Sequence, residues 1–412
     1  MSRSTAPFSS PSFVRYQLAR LFSILAMQIV SVAVGWQVYM LTNSTTALGL
    51  VGGIQFLPLL FLWPVTGSLA DRYDRKRVVW VAWAGAWLGT VCLWLLSLAA
   101  VPSFTGILAT LLVLGSARAL SAAAGPALLP SLVEPEDFSA AAAWSSTTFS
   151  VGVILGPAMG GVCTAFIDTT GAYAVAAGLL TLGLIALRGV RPIRPADRSQ
   201  RPTTWSDAMA GLRLVFDHPI LLGAISLDLF AVLLGGAVAL LPVYARDILH
   251  VGPVGFGALR AAPAVGALVM AVWITARPPT RRIGWTLYAS VGAFGLATIG
   301  FGLSTTFLPA LLFLVLVGAT DGISVWIRQI VVQLATPDAV RGRVSAVEFV
   351  FIGASNELGE LESGLLATAI GPVGAVVAGG FGTLGIVALA SGLSPALRRV
   401  DTLADIRAGS AG

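Results

Sequence analysis

Apolar stretches long enough to cross a bilayer recur along the whole chain, and no other feature constrains its fold as strongly. A spanning helix needs about 20 mostly apolar residues. Twelve stretches qualify, at 14–41, 46–70, 78–100, 104–132, 138–167, 171–188, 219–245, 253–276, 284–303, 307–335, 343–370 and 373–396. Of all 412 residues 56% are hydrophobic and only 11% charged, against about 25% charged in an average soluble domain. A water-soluble core could not hide that much apolar surface, so the expected fold class is an all-α polytopic membrane protein with twelve transmembrane helices. The same composition excludes most soluble enzymes. A membrane-embedded enzyme would need a nucleophile or metal constellation within its spans. Cys92 and Cys163 form no disulfide or metal pattern, and His218 and His250 sit at helix ends, so no metal, no cofactor and no enzymatic activity are expected. The polar segment Met1 to Ser12 has no cleavable signal, and the first apolar stretch should act as an uncleaved anchor.

The longest polar gap, Gly189 to Asp217, splits six spans from six. The expected organisation is an N-terminal bundle over 1–188, a cytoplasmic linker over 189–218, a C-terminal bundle over 219–396 and a cytoplasmic tail over 397–412. The linker opens with Arg188, Arg191, Arg194, Arg198 and Arg201, punctuated by Pro192, Pro195 and Pro202. Trp205, Met209, Leu212 and Phe216 then follow at i, i+4, i+7 and i+11, the spacing of an amphipathic helix lying on the membrane surface. With both termini inside, all but five of the 25 Lys and Arg fall on the cytoplasmic side. Four of the five (Arg20, Arg118, Arg260 and Arg328) lie within spans, and Arg246 lies outside. That asymmetry follows the positive-inside rule, so the net charge of +6 reports topology rather than nucleic-acid binding. The halves also echo each other. Pro135-Glu136 follows the fourth span and Pro337-Asp338 the tenth, offset by 202 residues, and the loop from Asp71 to Arg77 has a weaker echo at Arg277 to Arg282. A repeat of six plus six with a midplane cavity is secondary-transporter architecture.

Between the second and third spans runs Gly67-Ser68-Leu69-Ala70-Asp71-Arg72-Tyr73-Asp74-Arg75-Lys76-Arg77. It resembles the GxLaDrxGrkxxl signature of the major facilitator superfamily, with Asp74 where the general pattern has Gly. A small Gly67 allows close helix approach, Asp71 can face a helix N-terminus and a basic partner, and Arg72, Arg75 and Lys76 hold the loop in the cytoplasm. The resemblance implies an access-gating latch at these residues. The fifth span carries Gly152-Val153-Ile154-Leu155-Gly156-Pro157-Ala158-Met159-Gly160-Gly161, which resembles the GxxxGPxxGG signature of that superfamily's antiporters. Gly152, Gly156, Gly160 and Gly161 offer a smooth packing face, and Pro157 a kink. Arg118 resembles the basic residue of the fourth-helix motif, although Ala119-Leu120-Ser121-Ala122 depart from it. The resemblance covers essentially the whole chain and is closest to the enterobactin-exporter and macrolide-efflux branch of drug:proton antiporters. It implies two pseudo-symmetric six-helix bundles.

Ionisable residues within membrane spans are costly and usually face a cavity or one another. Here they are Arg20, Arg118, Asp228, Arg260, Asp321, Arg328, Glu348, Glu357, Glu360 and Glu362. On a helical wheel Glu357 and Glu360 lie about 60° apart, whereas Glu348 and Glu362 share a different face about 40° apart. Two close carboxylates in a low dielectric cannot both ionise cheaply, as a proton carrier requires. Glu357 or Glu360 is therefore the expected coupling site, tuned by Arg118, with Asp228 as a second candidate. Asp321 and Arg328, seven apart on one face of the tenth span, are an expected internal pair. The acids sit only in the second half, and Arg20 and Arg118 in the first. A cavity with one acidic and one basic wall suits an amphipathic molecule with polar oxygens as well as a lipophilic cation. Trp36, Tyr39, Phe56, Trp144, Phe230, Trp326 and Phe349 could supply ring faces. Trp80, Trp83, Trp87 and Trp94 stripe the third span and are expected to face lipid or the interface. The expectation is an inner-membrane, multi-pass, monomeric exporter of small amphipathic molecules, drug-like or siderophore, driven by proton antiport. A proton-coupled importer and a non-transporting sensor are the alternatives. Its expected partners are substrate, protons and the lipid bilayer, with no nucleic acid.

Overall fold

A computed structural model of the chain describes residues 9–193, 205–336 and 341–408. Among them, eleven helices are long and apolar enough to cross a membrane. One of these, Val350–Leu393, runs 44 residues, about 66 Å at the α-helical rise and roughly twice the hydrocarbon thickness. It lies in a helix that breaks at Gly371, where φ is 79° and ψ 161°, just before Pro372. Only glycine reaches that conformation without strain, and proline removes a donor while forcing its predecessor out of the helical region. The break falls in the gap between the apolar stretches 343–370 and 373–396, consistent with twelve spans.

In chain order the helices are α1 (Pro11–Thr42), α2 (Thr45–Arg72), α3 (Arg75–Ser97), α4 (Phe104–Leu128), α5 (Phe138–Phe166), α6 (Asp168–Arg188), α7 (Trp205–Asp217), α8 (Pro219–Gly235), α9 (Leu241–Val243), α10 (Gly252–Ala276), α11 (Ile283–Gly302), α12 (Phe307–Ala335) and α13 (Arg341–Leu393), followed by α14 (Pro395–Arg398) and α15 (Leu403–Ala408). Their ends follow local chemistry. Ser10 caps α1 by accepting from Phe13 N–H, with Pro11 opening the helix, and Asn43 ends it in the left-handed region at φ 49°. Ser103 caps α4 by accepting from Gly106 N–H at 3.2 Å. Asp74 caps α3, its Oδ1 accepting from Arg77 N–H at 3.2 Å. The one departure from the loop signature is thus a preferred helix-capping residue.

The chain divides into two compact units. The first draws on Met1–Asn43, Ile54–Thr204 and Gly252–Ala261, and the second on Ser44–Gly53, Trp205–Val251 and Ala262–Gly412. In unit one α1 packs on α5 and α6, and α3 on α4 and α6. The α1–α5 packing rests on the small residues singled out above. A Cβ added at Gly152 would lie 2.5 Å from Ile24 Cγ2, one at Gly156 2.5 Å from Gln28 Cβ, and one at Gly160 2.9 Å from Val32 Cβ. Gly161 turns to another neighbour. Its added Cβ would meet the carbonyl oxygen of Pro253 at 2.5 Å, and one at Gly257 would meet that of Pro157 at 2.5 Å. The GxxxGPxxGG pattern therefore serves two contacts on two sides of α5.

The third span is less lipid-exposed than its tryptophan stripe predicts. Trp83 is buried, with its indole N–H donating to Ser121 Oγ at 3.1 Å, and the Trp87 indole donates to Thr181 Oγ1 at 2.9 Å. The polar edge of each indole finds a hydroxyl on α4 or α6, which draws the ring inward.

Unit two is built round α8, α11, α12 and α13, with α8 and α11 against α13 and α11 against α12. The seventh apolar stretch is not one continuous helix. After α8, Gly236 breaks the ladder, and a 3-10 turn (Ala237–Leu240), α9 and a π-helical turn (Tyr244–Ile248) complete the crossing. Ser363 Oγ donates to the Gly236 carbonyl at 2.9 Å, giving a freed acceptor a partner in place of water. In α7, Leu212, Leu214 and Val215 pack into the core of this unit, while Phe216 is exposed. The repeat partner Pro337-Asp338 lies outside the described residues.

Candidate functional site

Unit two holds a half-open cavity of about 370 Å³ whose lining mixes charged and amide side chains from three helices with Val232, Val325 and Ile352. Asp228 comes from α8, Asp321, Arg328 and Gln329 from α12, and Glu348 and Asn356 from α13. Arg328 is its electrostatic centre. Its guanidinium is ion-paired with Asp228, and its Nε donates to Glu348 Oε1 at 3.1 Å, with 3% of its side chain exposed. A buried guanidinium needs such partners because its desolvation is otherwise uncompensated. Besides its cavity neighbour Asp321 on the same helix, Arg328 takes ion-pair partners on two other helices. Seven residues of α-helix rise about 10.5 Å, beyond easy side-chain closure, whereas α8 and α13 bring Asp228 and Glu348 alongside. Asp321 lines the same cavity as a third carboxylate.

Three carboxylates around one guanidinium leave a formal excess of two negative charges when all are ionised. In a low-dielectric site such an excess is costly. Protons or a cationic group from a ligand can restore the balance, so the charge state of the cavity and its contents are coupled.

Glu357 and Glu360 stand elsewhere. Glu357 is buried, and the Glu360 side chain lies along the start of α2. A Cβ added at Gly52 would fall 2.6 Å from Glu360 Cβ and 2.8 Å from its Oε2. The seam continues at Gly364, whose added Cβ would meet Gly49 Cα at 2.6 Å. It ends at Thr45, Thr46 and Thr368, whose hydroxyls bond at 2.8 and 2.7 Å. The Glu360 side chain therefore belongs to a tight seam between α2 and α13, which the Glu357 carbonyl also borders, whereas Glu348 reaches the cavity. Glu362, half-buried, accepts from Ser363 Oγ at 3.4 Å.

In unit one, Arg20 donates to the Ser145 carbonyl at 3.1 Å and Arg260 to Ser31 Oγ at 2.7 Å, while Arg118 is exposed. Trp36 stacks on Phe256 with centroids 6.1 Å apart, and Tyr39 is buried. Phe56 is half-buried, Trp144 and Phe230 are exposed, and Trp326 packs against the core of unit two. The side chains of Phe349, Gly67, Asp71 and Arg72 lie outside the described residues. The rest of the loop motif is seen. Arg75 donates to the Ala127 carbonyl at 3.0 Å and Lys76 to the Arg188 carbonyl at 2.9 Å. Both cations thus grip carbonyls at or beside helix C-termini, where the dipole favours positive charge.

Sequence reasoning named Asp228, Asp321 and Arg328 but did not join them to Glu348, Gln329 and Asn356. The only signal was the presence of Glu348 within an apolar stretch. A helical wheel compares residues on one helix, and this site is assembled across three.

Two units of long apolar helices, the second holding a cavity with buried charges, define a multi-pass membrane protein of secondary-transporter architecture. The family model described as Major Facilitator Superfamily matches residues 18–360, and the chain belongs to that superfamily. It is 30% identical over 379 residues to the enterobactin exporter EntS of Escherichia coli O1:K1 / APEC, a match covering 91% of this chain and 89% of the relative. Among solved structures it resembles the nucleoside transporter NupG, with TM-score 0.75 and 11% identity over 93% of this chain and 99% of the other. It also resembles a bacterial homologue of the human lysosomal transporter Spinster in an inward-facing, occupied conformation. There the TM-score is 0.74 and the identity 14%, over 97% of this chain and 98% of the other. These are transporters, and the family is one of transport rather than catalysis.

Proposed function

We propose that this protein is a secondary active exporter that carries a small amphipathic organic molecule, a siderophore or a drug-like compound, out of the cell in exchange for protons. The observation that carries the reading is the 30% identity, over 91% of the chain, to a protein named as an enterobactin exporter. The tight glycine packing of the antiporter-type pattern on α5 supports the same direction. The chain works as a monomer in the inner membrane with both termini in the cytoplasm, as its basic-residue distribution favours.

Coupling is assigned to the cavity of unit two. Substrate and proton compete for the excess negative charge of Asp228, Asp321 and Glu348, with Arg328 as the fixed counter-ion, and such competition at one site is what antiport requires. This cluster suits the proton better than Glu357 and Glu360, because it borders a volume that water or substrate can enter, whereas Glu360 is packed on Gly52. Arg118, Arg20 and the rings of Trp36, Tyr39, Phe56, Trp144, Phe230 and Trp326 are assigned to the substrate path. Gly67, Asp71, Arg72, Arg75 and Lys76 form the latch that biases the two access states.

The test is substrate-evoked proton flux in proteoliposomes under an imposed pH gradient, with catecholate siderophores, macrolides and lipophilic cations offered in turn. Proton movement opposite to one class supports antiport and selects the substrate. Co-directional movement identifies an importer. Silence with folded, oriented protein overturns the assignment and favours a non-transporting sensor.

A further inference from the structure

At one end of unit one, four cations from three elements converge on the C-terminus of α6. Arg15 Nη1 donates to the Gly189 carbonyl at 3.0 Å, and Lys76 Nζ to the Arg188 carbonyl at 2.9 Å. The Arg188 guanidinium lies 5.9 Å from the centre of the Trp80 ring. Arg191 is held alongside by its backbone N–H, which donates to Ser12 Oγ at 3.1 Å. Arg15, Arg188 and Arg191 are exposed, and among the described residues no carboxylate pairs with any of the four.

The helix terminus explains part of this cluster and not the rest. A helix C-terminus carries about half a negative charge, against four full positive charges. Each carbonyl engages one donor, whereas an arginine has five N–H groups and a lysine three. The side chain of Arg191 has no described partner. Three or more uncompensated charges at the mouth of a helix bundle, beside a half-buried tryptophan, form a site for a concentrated anion. In a membrane protein this end of the helices meets the headgroup layer, where aromatic side chains also settle and lipid phosphates are the abundant anions.

We infer that Arg15, Lys76, Arg188 and Arg191 form a binding site for the phosphate of an anionic phospholipid, which clips α1, α3 and α6 together. A phosphate bridging these side chains would do between helices what no carboxylate among the described residues does there.

The test uses the full chain in nanodiscs of phosphatidylcholine, with or without phosphatidylglycerol. Readouts are thermal unfolding and lipid retained on gentle delipidation, counted by native mass spectrometry. The variant is Arg15→Gln with Arg191→Gln. Arg15 loses one exposed hydrogen bond and Arg191 contributes only its backbone N–H among the described contacts, so the protein should stay folded. Arg277→Gln with Arg281→Gln, exposed in the other unit, removes the same number of charges and controls for loss of charge alone. Expected are several-fold preferential retention of phosphatidylglycerol and a higher midpoint with it, both lost in the double variant and kept in the control. Equal retention of the two lipids by the unmodified protein, or unchanged retention by the double variant, overturns the site. Inorganic phosphate added to phosphatidylcholine discs distinguishes the source: matching stabilisation by it overturns the lipid assignment.

Discussion

Arg328 shows how far one side chain can organise a membrane interior. It joins α12 to α8 through Asp228 and to α13 through Glu348. Removing one partner of a buried ion pair leaves the other charge uncompensated, typically at a cost of about 3–5 kcal/mol. Arg328→Gln should therefore lower the thermal midpoint far more than Asp228→Asn combined with Arg328→Gln and Glu348→Gln, in which the guanidinium and both of its ion-pair partners go together. Comparing the midpoints of the two variants checks this. His218 offers a residue-level pH effect. It caps α8 with Nδ1 accepting from Leu221 N–H at 3.4 Å, and its Nε2 is buried without a partner among the described residues. Burial holds its pKa below the ordinary histidine value, since desolvation disfavours the cation. The neutral ring is the form that caps, so its contribution is complete above about pH 6.5 and declines as pH falls through the lowered value. His218→Asn, which caps at any pH, should remove that component from a stability-against-pH curve. An unchanged curve would refute the capping account.

Helix-scale behaviour follows from glycine placement. α5 meets α1 through Gly152, Gly156 and Gly160, at which an added methyl has no room. Gly156→Ala should destabilise by about 1–3 kcal/mol through overpacking, and Gly178→Ala, where nothing stands within 4 Å of the added carbon, should not. Chemical denaturation in detergent checks the pair. Gly371 tests the break in α13. Its φ of 79° and ψ of 161° make Gly371→Ala cost about 1–3 kcal/mol of backbone strain. Pro372→Ala should be milder, because it restores a donor and leaves the glycine free. The apolar stretches mark where α13 must divide, but Gly236 in the seventh stretch reads as one glycine among many. That it breaks the helix became visible only with Ser363 beneath it.

For the whole molecule, the distinction that matters is between charges that hold the bundle and charges that move. Asp321 is the cavity carboxylate without an ion pair to Arg328 among the described contacts, and it is the best single test of coupling. Asp321→Asn should leave the unfolding midpoint within a few degrees of the unmodified protein while abolishing efflux driven by a pH gradient. Glu357→Gln should retain that coupling. Loss of coupling in Glu357→Gln alone would return the proton to the α2–α13 seam. The sequence by itself determined the solvent, the all-helical fold and the family, because apolar length and short motifs are local properties that survive without coordinates. It also supplied every acid and base of the cavity. Tertiary structure decided which of them meet. Arg328, beside Asp321 of its own helix, took Asp228 and Glu348 from two others; Glu360 packed on Gly52; and the Trp83 indole reached Ser121. Each outcome depends on contacts between helices, where a few ångströms of approach decide which charges pair, and no periodicity along a single helix carries that information.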